Sequence, residues 1–197
     1  MARIIIIDNY DSFTYNLLHY VDEYGLHQTD VYRNDMIEPA KIKDYDGIIL
    51  SPGPGIPSEA GRLLEIIDMY KDTKRIFGVC LGLQAIAEVF GGSLLNTEKV
   101  YHGIATGINV LEPAHYLFNG LPGSFTGGRY HSWVVRKDSV PPCLQINALD
   151  DEKFIMAMSH RDLDVCGVQF HPESILTPRG KDIVFNWLAE FDKTSSS

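Results

Sequence analysis

Cysteine is scarce in this chain of 197 residues: three thiols, Cys80, Cys143 and Cys166, at irregular spacing. That spacing excludes a disulfide framework and a C-x-x-C zinc pattern, and it suits a reducing cytoplasm. Basic residues are also few, 17 Lys and Arg against 26 Asp and Glu, for a net charge of −9. A nucleic-acid surface would be basic, so no nucleic-acid partner is expected. Long apolar runs are missing as well. The run Ile4 to Ile7 stops at Asp8 after four residues, too short for a signal peptide or a membrane span. No repeat, linker or low-complexity stretch interrupts the chain. Residues 1–193 therefore read as one domain, and 194–197 as a frayed tail.

What is present is an alternation of two periods. Strand-like runs at 3–7, 29–32, 47–50 and 75–79 alternate with helical stretches, the pattern of parallel βαβ units. Phe13, Leu17, Tyr20, Val21 and Tyr24 share one helix face; Leu63, Ile66, Ile67 and Tyr70 share another; Val184, Trp187, Leu188 and Phe191 line the last. After Gly91-Gly92 the texture changes to short strands and turns up to about residue 160, which favours antiparallel pairing on one side. The expected fold is α/β: a doubly wound, mostly parallel central sheet with flanking helices and a small antiparallel extension.

The segment Arg75-Ile-Phe-Gly-Val-Cys80-Leu-Gly-Leu-Gln84 carries the first chemical signal. An apolar run stops at a cysteine and a helical pattern starts directly after it, with Gly78 and Gly82 two positions to either side. That is the layout of a nucleophile elbow, where the first free N–H groups of a helix favour a thiolate. The ordinary fate of a free cysteine is burial as an inert small hydrophobe; the glycines and the change of period argue against it here. A nucleophilic thiol needs a base and the base an orienter. Val165 to Phe170 reads as a strand, and His171 falls at its carboxyl end, where α/β sheets place their chemistry. Pro172 then holds Glu173 in a restricted relation to His171, so that the carboxylate accepts from one imidazole nitrogen while the other faces the thiol. A third element, Ser51-Pro52-Gly53-Pro54-Gly55, is a rigid loop after the buried run Ile48 to Leu50. The backbone N–H of Gly55 and that of Leu81, next to the thiol, would form an oxyanion hole.

Together these residues resemble the class I (triad) glutamine amidotransferases, and the resemblance covers nearly the whole chain. The motifs are SPGPG from Ser51, GVCLGLQAI around Cys80, Arg129-Tyr130-His131-Ser132, and GVQFHPES from Gly167 to Ser174. The opening Asp8-Asn9-Tyr10-Asp11-Ser12-Phe13-Thr14-Tyr15-Asn16-Leu17 is similar to the chorismate-using branch, the glutaminase subunits of anthranilate synthase and of aminodeoxychorismate synthase. The resemblance implies L-glutamine as substrate, bound by Gln84, by the backbone of Ser132 and Trp133, and by Gly53, Pro54 and Gly55. It implies a large chorismate-converting subunit, component I of either synthase, as partner. It implies no cofactor on this chain, with Mg²⁺ expected on the partner, and no membrane contact.

Other readings fare less well. A metal site of Cys80, His131, His171 and Glu173 lacks any i,i+3 or C-x-x-C pairing. A stand-alone cysteine hydrolase leaves Gln84 and Ser132 unused, and a non-catalytic binding subunit leaves the intact Cys80, His171 and Glu173 unexplained. His102 is either near the site or structural, and His131 lies beside the glutamine contacts without being catalytic. His19, His27, His115 and His160 read as surface or turn residues. Gly103 to Gly107 departs from the pattern of relatives and reads as a partner-facing loop, and Leu83 replaces a frequent histidine within the helix.

Overall fold

Four consecutive isoleucines, Ile4 to Ile7, are fully buried, and they fix the plan of the molecule. In a strand, successive side chains point to opposite faces. Ile4 and Ile6 accordingly join one core with Leu17, Val21, Phe77, Val184 and Trp187, whereas Ile5 and Ile7 join another with Ile48, Leu63, Ile66 and Ile86. A strand with two dry faces belongs inside a parallel sheet covered by helices on both sides. The structure, a computed structural model, describes residues 1–194.

The elements follow in order: β1 (Arg3–Asp8), α1 (Thr14–Tyr24), β2 (Gln28–Arg33), β3 (Gly47–Leu50), α2 (Leu63–Tyr70), β4 (Arg75–Val79) and α3 (Leu81–Val89). Then come β5 (Leu94–Asn96), β6 (Ile104–Val110), β7 (Ser124–Arg129), β8 (Trp133–Val135), β9 (Leu144–Asp150), β10 (Ile155–His160), β11 (Val165–Val168) and α4 (Gly180–Thr194). The main sheet has the order β2-β1-β3-β4-β11-β10-β9-β6-β7, with β5 and β8 forming a separate antiparallel pair. From β2 to β11 neighbouring strands are parallel; from β11 to β7 they are antiparallel. The doubly wound sheet and its one-sided antiparallel extension thus match the expectation, with the extension built from four strands. Helices α1 and α4 cover one face of the parallel half, and α2 and α3 the other.

The antiparallel half curls. Register shifts occur between β10 and β9, and such bulges bend a strand. The far-edge strand β7 comes back far enough for Gly128 to pair with His171, just beyond β11. That closure brings the loop after β7 over the carboxyl ends of the parallel strands. Two expectations need correction here. The stretch Gly103 to Gly107 is not a loop: from Ile104 it is the start of β6, paired with β7 from Ile104↔Arg129 onward, because Ile108 on that strand is fully buried. Strand β11 ends at Val168 rather than Phe170; Gln169 N–H still donates to Met156 O, but His171 N–H turns to Gly128 O. Helix α4 continues through Thr194, and the rest of the tail lies outside the described residues. No helix among the described residues is long and apolar enough to cross a membrane.

Candidate active site

The carboxyl ends of β1, β3, β4 and β11 lie together where the strand order reverses, with β2 on one side of β1 and β3 on the other. Open α/β sheets bind ligands at such a switch point. Cys80 is the residue between β4 and α3, with φ 53° and ψ −100°, a conformation that costs a non-glycine residue about 1–3 kcal/mol. The turn is possible because Gly78 and Gly82 lie almost in contact: a Cβ on Gly78 would sit 2.5 Å from the Gly82 backbone. Cys80 N–H donates to Val168 O at 2.8 Å, tying the elbow to β11. The elbow read from the sequence is therefore the observed geometry.

From the end of β11 come His171 and Glu173, both buried, with Nδ1 and Oε1 2.7 Å apart. His171 Nε2 has no hydrogen-bond partner among the described residues. Burial alone would push the imidazole down, but the Cys80 sulfur and then the Glu173 carboxylate outweigh it and hold His171 well above its ordinary value. The rings of Tyr130 and Phe13 enclose the imidazole at centroid distances of 4.8 and 5.6 Å. Tyr130 hydroxyl meets Ser174 Oγ at 3.0 Å, and Thr177 Oγ1 donates to His171 O at 2.6 Å. The histidine thus sits in a fixed cage.

Cys80 stands in the wall between two cavities. One, of about 180 Å³, is lined by Gly53, Pro54, Gly55, Gln84, Ser132 and Trp133, with Tyr130 and His131. All six residues implied to hold glutamine are therefore brought together beside the thiol. The other, of about 400 Å³, is lined by Tyr10 to Phe13, Pro52 to Pro54, His102, Tyr130 and His171. The loop Gly53 to Gly55 separates them, and it is fastened from behind: Asn9 N–H donates to Ser51 Oγ and Asn9 Nδ2 to Ser51 O, each at 2.8 Å. Asn34 Nδ2 holds Asn9 Oδ1 at 3.0 Å. Gly55, which lines the smaller cavity, has φ 72°, a left-handed conformation suited to glycine.

Behind the first cavity lies a buried polar cluster. Arg129, fully buried, pairs with Asp150 and donates from Nε to His131 Nε2 at 3.1 Å. Burial, then the Arg129 charge, then His171 bring the His131 imidazole down to about 3. It is neutral, and its proton is on Nδ1 because Nε2 accepts from Arg129. Gln84 Nε2 donates both to Trp133 O, at 2.8 Å, and to Gln169 Oε1, at 3.2 Å, and Gln169 Nε2 donates to Cys80 Sγ at 3.5 Å.

Sequence reasoning did not single out Gln169, Arg129, Asp150, Tyr130, Phe13 or Asn9 as site residues. Gln169 could have been found: a polar residue between buried Val168 and Phe170 must have a partner inside. Nothing in the sequence pairs Arg129 with Asp150, since β6 lies between their strands β7 and β9 and only the side chains reach each other. His102 is exposed and turns its ring edge to Tyr130 at 6.0 Å. His27 is not a surface residue; its side chain is 1% exposed, between the rings of Tyr24 and Phe191. His115 is half-buried, and burial brings it down to about 4. Cys166 is buried, and burial pushes its thiol up to about 12, so it remains protonated. No group of three or more His, Cys, Asp or Glu able to hold a metal ion occurs among the described residues.

Residues 5–191 match the family model described as glutamine amidotransferase class-I. The chloroplastic anthranilate synthase beta subunit 1 of Oryza sativa subsp. japonica is 47% identical over 191 residues, covering 94% of this chain and 66% of that protein. The aminodeoxychorismate/anthranilate synthase component 2 of Bacillus subtilis (strain 168) is 43% identical over 192 residues, covering 96% and 97% of the two chains. Among solved structures, a putative GMP synthase protein of Thermoplasma acidophilum has a TM-score of 0.87 at 25% identity, covering 100% and 98%. The chain thus spans just under two thirds of the rice protein and almost all of the bacterial one.

Proposed function

The chain belongs to the class I glutamine amidotransferases, and from that premise we propose that it is the glutamine-hydrolysing subunit of a chorismate-converting synthase, with Cys80, His171 and Glu173 as its triad. The observation that carries this reading is the position of Cys80 between the two cavities, with the Gln84 pocket on one side and the His171–Glu173 pair on the other.

Glutamine enters the smaller cavity. Gln84 uses its Nε2 protons on Trp133 O and Gln169 Oε1, so what it presents to a substrate is Oε1, an acceptor suited to the α-ammonium. The carbonyls of Ser132 and Trp133 are already occupied by Thr97 and Gln84, so this backbone meets the α-carboxylate through N–H groups. The Cys80 thiolate attacks the side-chain amide carbon. N–H groups of Leu81 and Gly55 receive the oxyanion; one such donor is worth roughly 3 kcal/mol. His171, held by Glu173, protonates the departing nitrogen, and ammonia leaves. The same imidazole then activates water to cleave the γ-glutamyl thioester.

Ammonia released into neutral water becomes ammonium, which is not a nucleophile. The larger cavity, on the His171 side, opens between Tyr10 to Phe13 and His102, and it offers an exit away from the glutamine pocket. We place the acceptor, a chorismate-converting component I, over that face. The names of the rice and Bacillus relatives support anthranilate as the product. The double name of the Bacillus protein favours a second reading, one chain serving both anthranilate and aminodeoxychorismate synthesis.

The test mixes this chain with each chorismate-converting large subunit of its source and follows product from chorismate with glutamine or with ammonia. Cys80→Ala is expected to abolish the glutamine-dependent product and keep the ammonia-dependent one. Glutamine-dependent synthesis surviving in that variant would refute Cys80 as nucleophile. Anthranilate alone, aminodeoxychorismate alone or both then assigns the pathway.

A further inference from the structure

We propose that Gln169 is a positioning residue of the glutaminase site, whose side-chain amide fixes the orientation of Gln84 and donates an N–H to the Cys80 sulfur. The inference deepens the reading of Cys80 as nucleophile and rests on it.

Gln169 is fully buried, between Val168 and Phe170, which are also fully buried. For packing alone a leucine or methionine would serve at that place, and an amide taken out of water is costly unless its hydrogen bonds are replaced. The replacements run in one direction. Trp133 O is a backbone carbonyl and only accepts, so the Gln84 group 2.8 Å from it is its NH2. The same NH2 lies 3.2 Å from Gln169, whose facing atom must then be Oε1. That leaves Gln169 Nε2, a donor, 3.5 Å from Cys80 Sγ. A backbone carbonyl on β8 thus dictates, through two side chains, that the sulfur meets an N–H. Such a donor suits a thiolate, which accepts hydrogen bonds more strongly than a thiol does.

The consequence on the substrate side is equally directional. With Nε2 held twice, Gln84 cannot rotate its amide, and Oε1 is presented to the cavity before substrate arrives. Gln169 therefore links the group that recognises glutamine to the group that attacks it. The ionisable side chains near the sulfur are His171, with Glu173 behind it, on the strand-end side, and His131, with Arg129 behind it, on the β7–β8 side. Gln169 is the neutral link between them.

Two substitutions of similar volume remove the amide, Gln169→Met and Gln169→Leu. Alkylation of Cys80 by iodoacetamide at fixed pH reads the sulfur arm without substrate, with Cys80→Ala as the blank and a thermal melt as the check on folding. The expected result is alkylation slowed about tenfold, the scale of one lost hydrogen bond, in whichever variant keeps the wild-type melting temperature. Wild-type alkylation in a folded variant overturns the proposal. The Gln84 arm is read in the complex with the large subunit, from kcat and KM for glutamine in Gln169→Met, Gln84→Met and the double variant. Losses in kcat/KM smaller in the double variant than the product of the singles are expected; strictly multiplicative losses overturn the link. If the wild-type complex hydrolyses no glutamine, the proposed function fails, and the alkylation rates still judge Gln169.

Discussion

Arg129 is the largest charged side chain that is fully buried among the described residues. Its guanidinium pairs with Asp150, bonds His131 and lies 3.5 Å from the centroid of the Tyr101 ring. Burial holds the Asp150 carboxyl above its ordinary value even with Arg129 beside it, a sign of how dry the place is. Removing one partner of a buried pair strands the other charge and costs about 3–5 kcal/mol. Arg129→Ala is therefore expected to lower the unfolding free energy by that amount, measured by guanidinium denaturation. It should also loosen Ser132 and Trp133 and raise KM for glutamine more than it lowers kcat; an unchanged denaturation midpoint would contradict the ion pair's role. At this scale the sequence was legible where chemistry has a local signature. Cys80, His171, Glu173 and Gln84 stand in short motifs; Arg129 stands in one too, but its partners Asp150 and Tyr101 come from separate stretches that only the fold brings to it.

The element that matters most is the elbow from β4 to α3. It works because β3, β4 and the first turn of α3 approach more closely than side chains allow. A Cβ on Gly82 would stand 2.6 Å from Leu50 O, a backbone atom that cannot step aside. Gly82→Ala is expected to cost about 1–3 kcal/mol by overpacking and to turn Cys80 off its line, so that alkylation and glutaminase activity fall together. A variant that melts and reacts like the wild type would show that the close approach is not needed. Around the other wall of the pocket, residues 97–103 are strapped to the backbone of residues 129–132. Thr97 N–H donates to Ser132 O, Tyr101 N–H to His131 O and Gly103 N–H to Arg129 O. The helices and parallel strands were readable from their periods. The strand nature of Ile104 onward was not, because pairing with β7 and the burial of Ile108 decide it rather than local pattern.

For the molecule as a whole, two histidines make stability fall with acid. His131 and His115 are brought down to about 3 and about 4 from an ordinary 6.5, both first by burial. In the unfolded chain they take up protons as the pH falls through 6.5 while the folded protein does not. Their contribution is thus complete above pH 6.5 and is lost as the pH falls toward 4 and 3. His171 acts with the opposite sign. Held above 6.5, it favours the folded state below that pH and loses this contribution as pH rises through its raised value. Thermal melts across pH should therefore show a maximum near neutrality. His115→Asn, which keeps an acceptor for Leu117 N–H, should flatten the acid limb, and Cys80→Ala the alkaline one. A slope unaltered by either change would show that other groups govern that limb.

Local sequence was enough to set the period of each long element, the elbow, the histidine–carboxylate pair and the loop beside them, because each is a pattern of backbone allowance and side-chain type. It was also enough to mark residues 3–7 as the first strand of the parallel units. Folding in three dimensions settled the rest: how the antiparallel half curls until Gly128 meets His171, how Arg129 and Asp150 find each other, and that Gln169 joins Gln84 to the sulfur of Cys80. Those contacts join residues far apart in the chain, and each exists because a polar group taken out of water must find its partner inside, which no local spacing encodes.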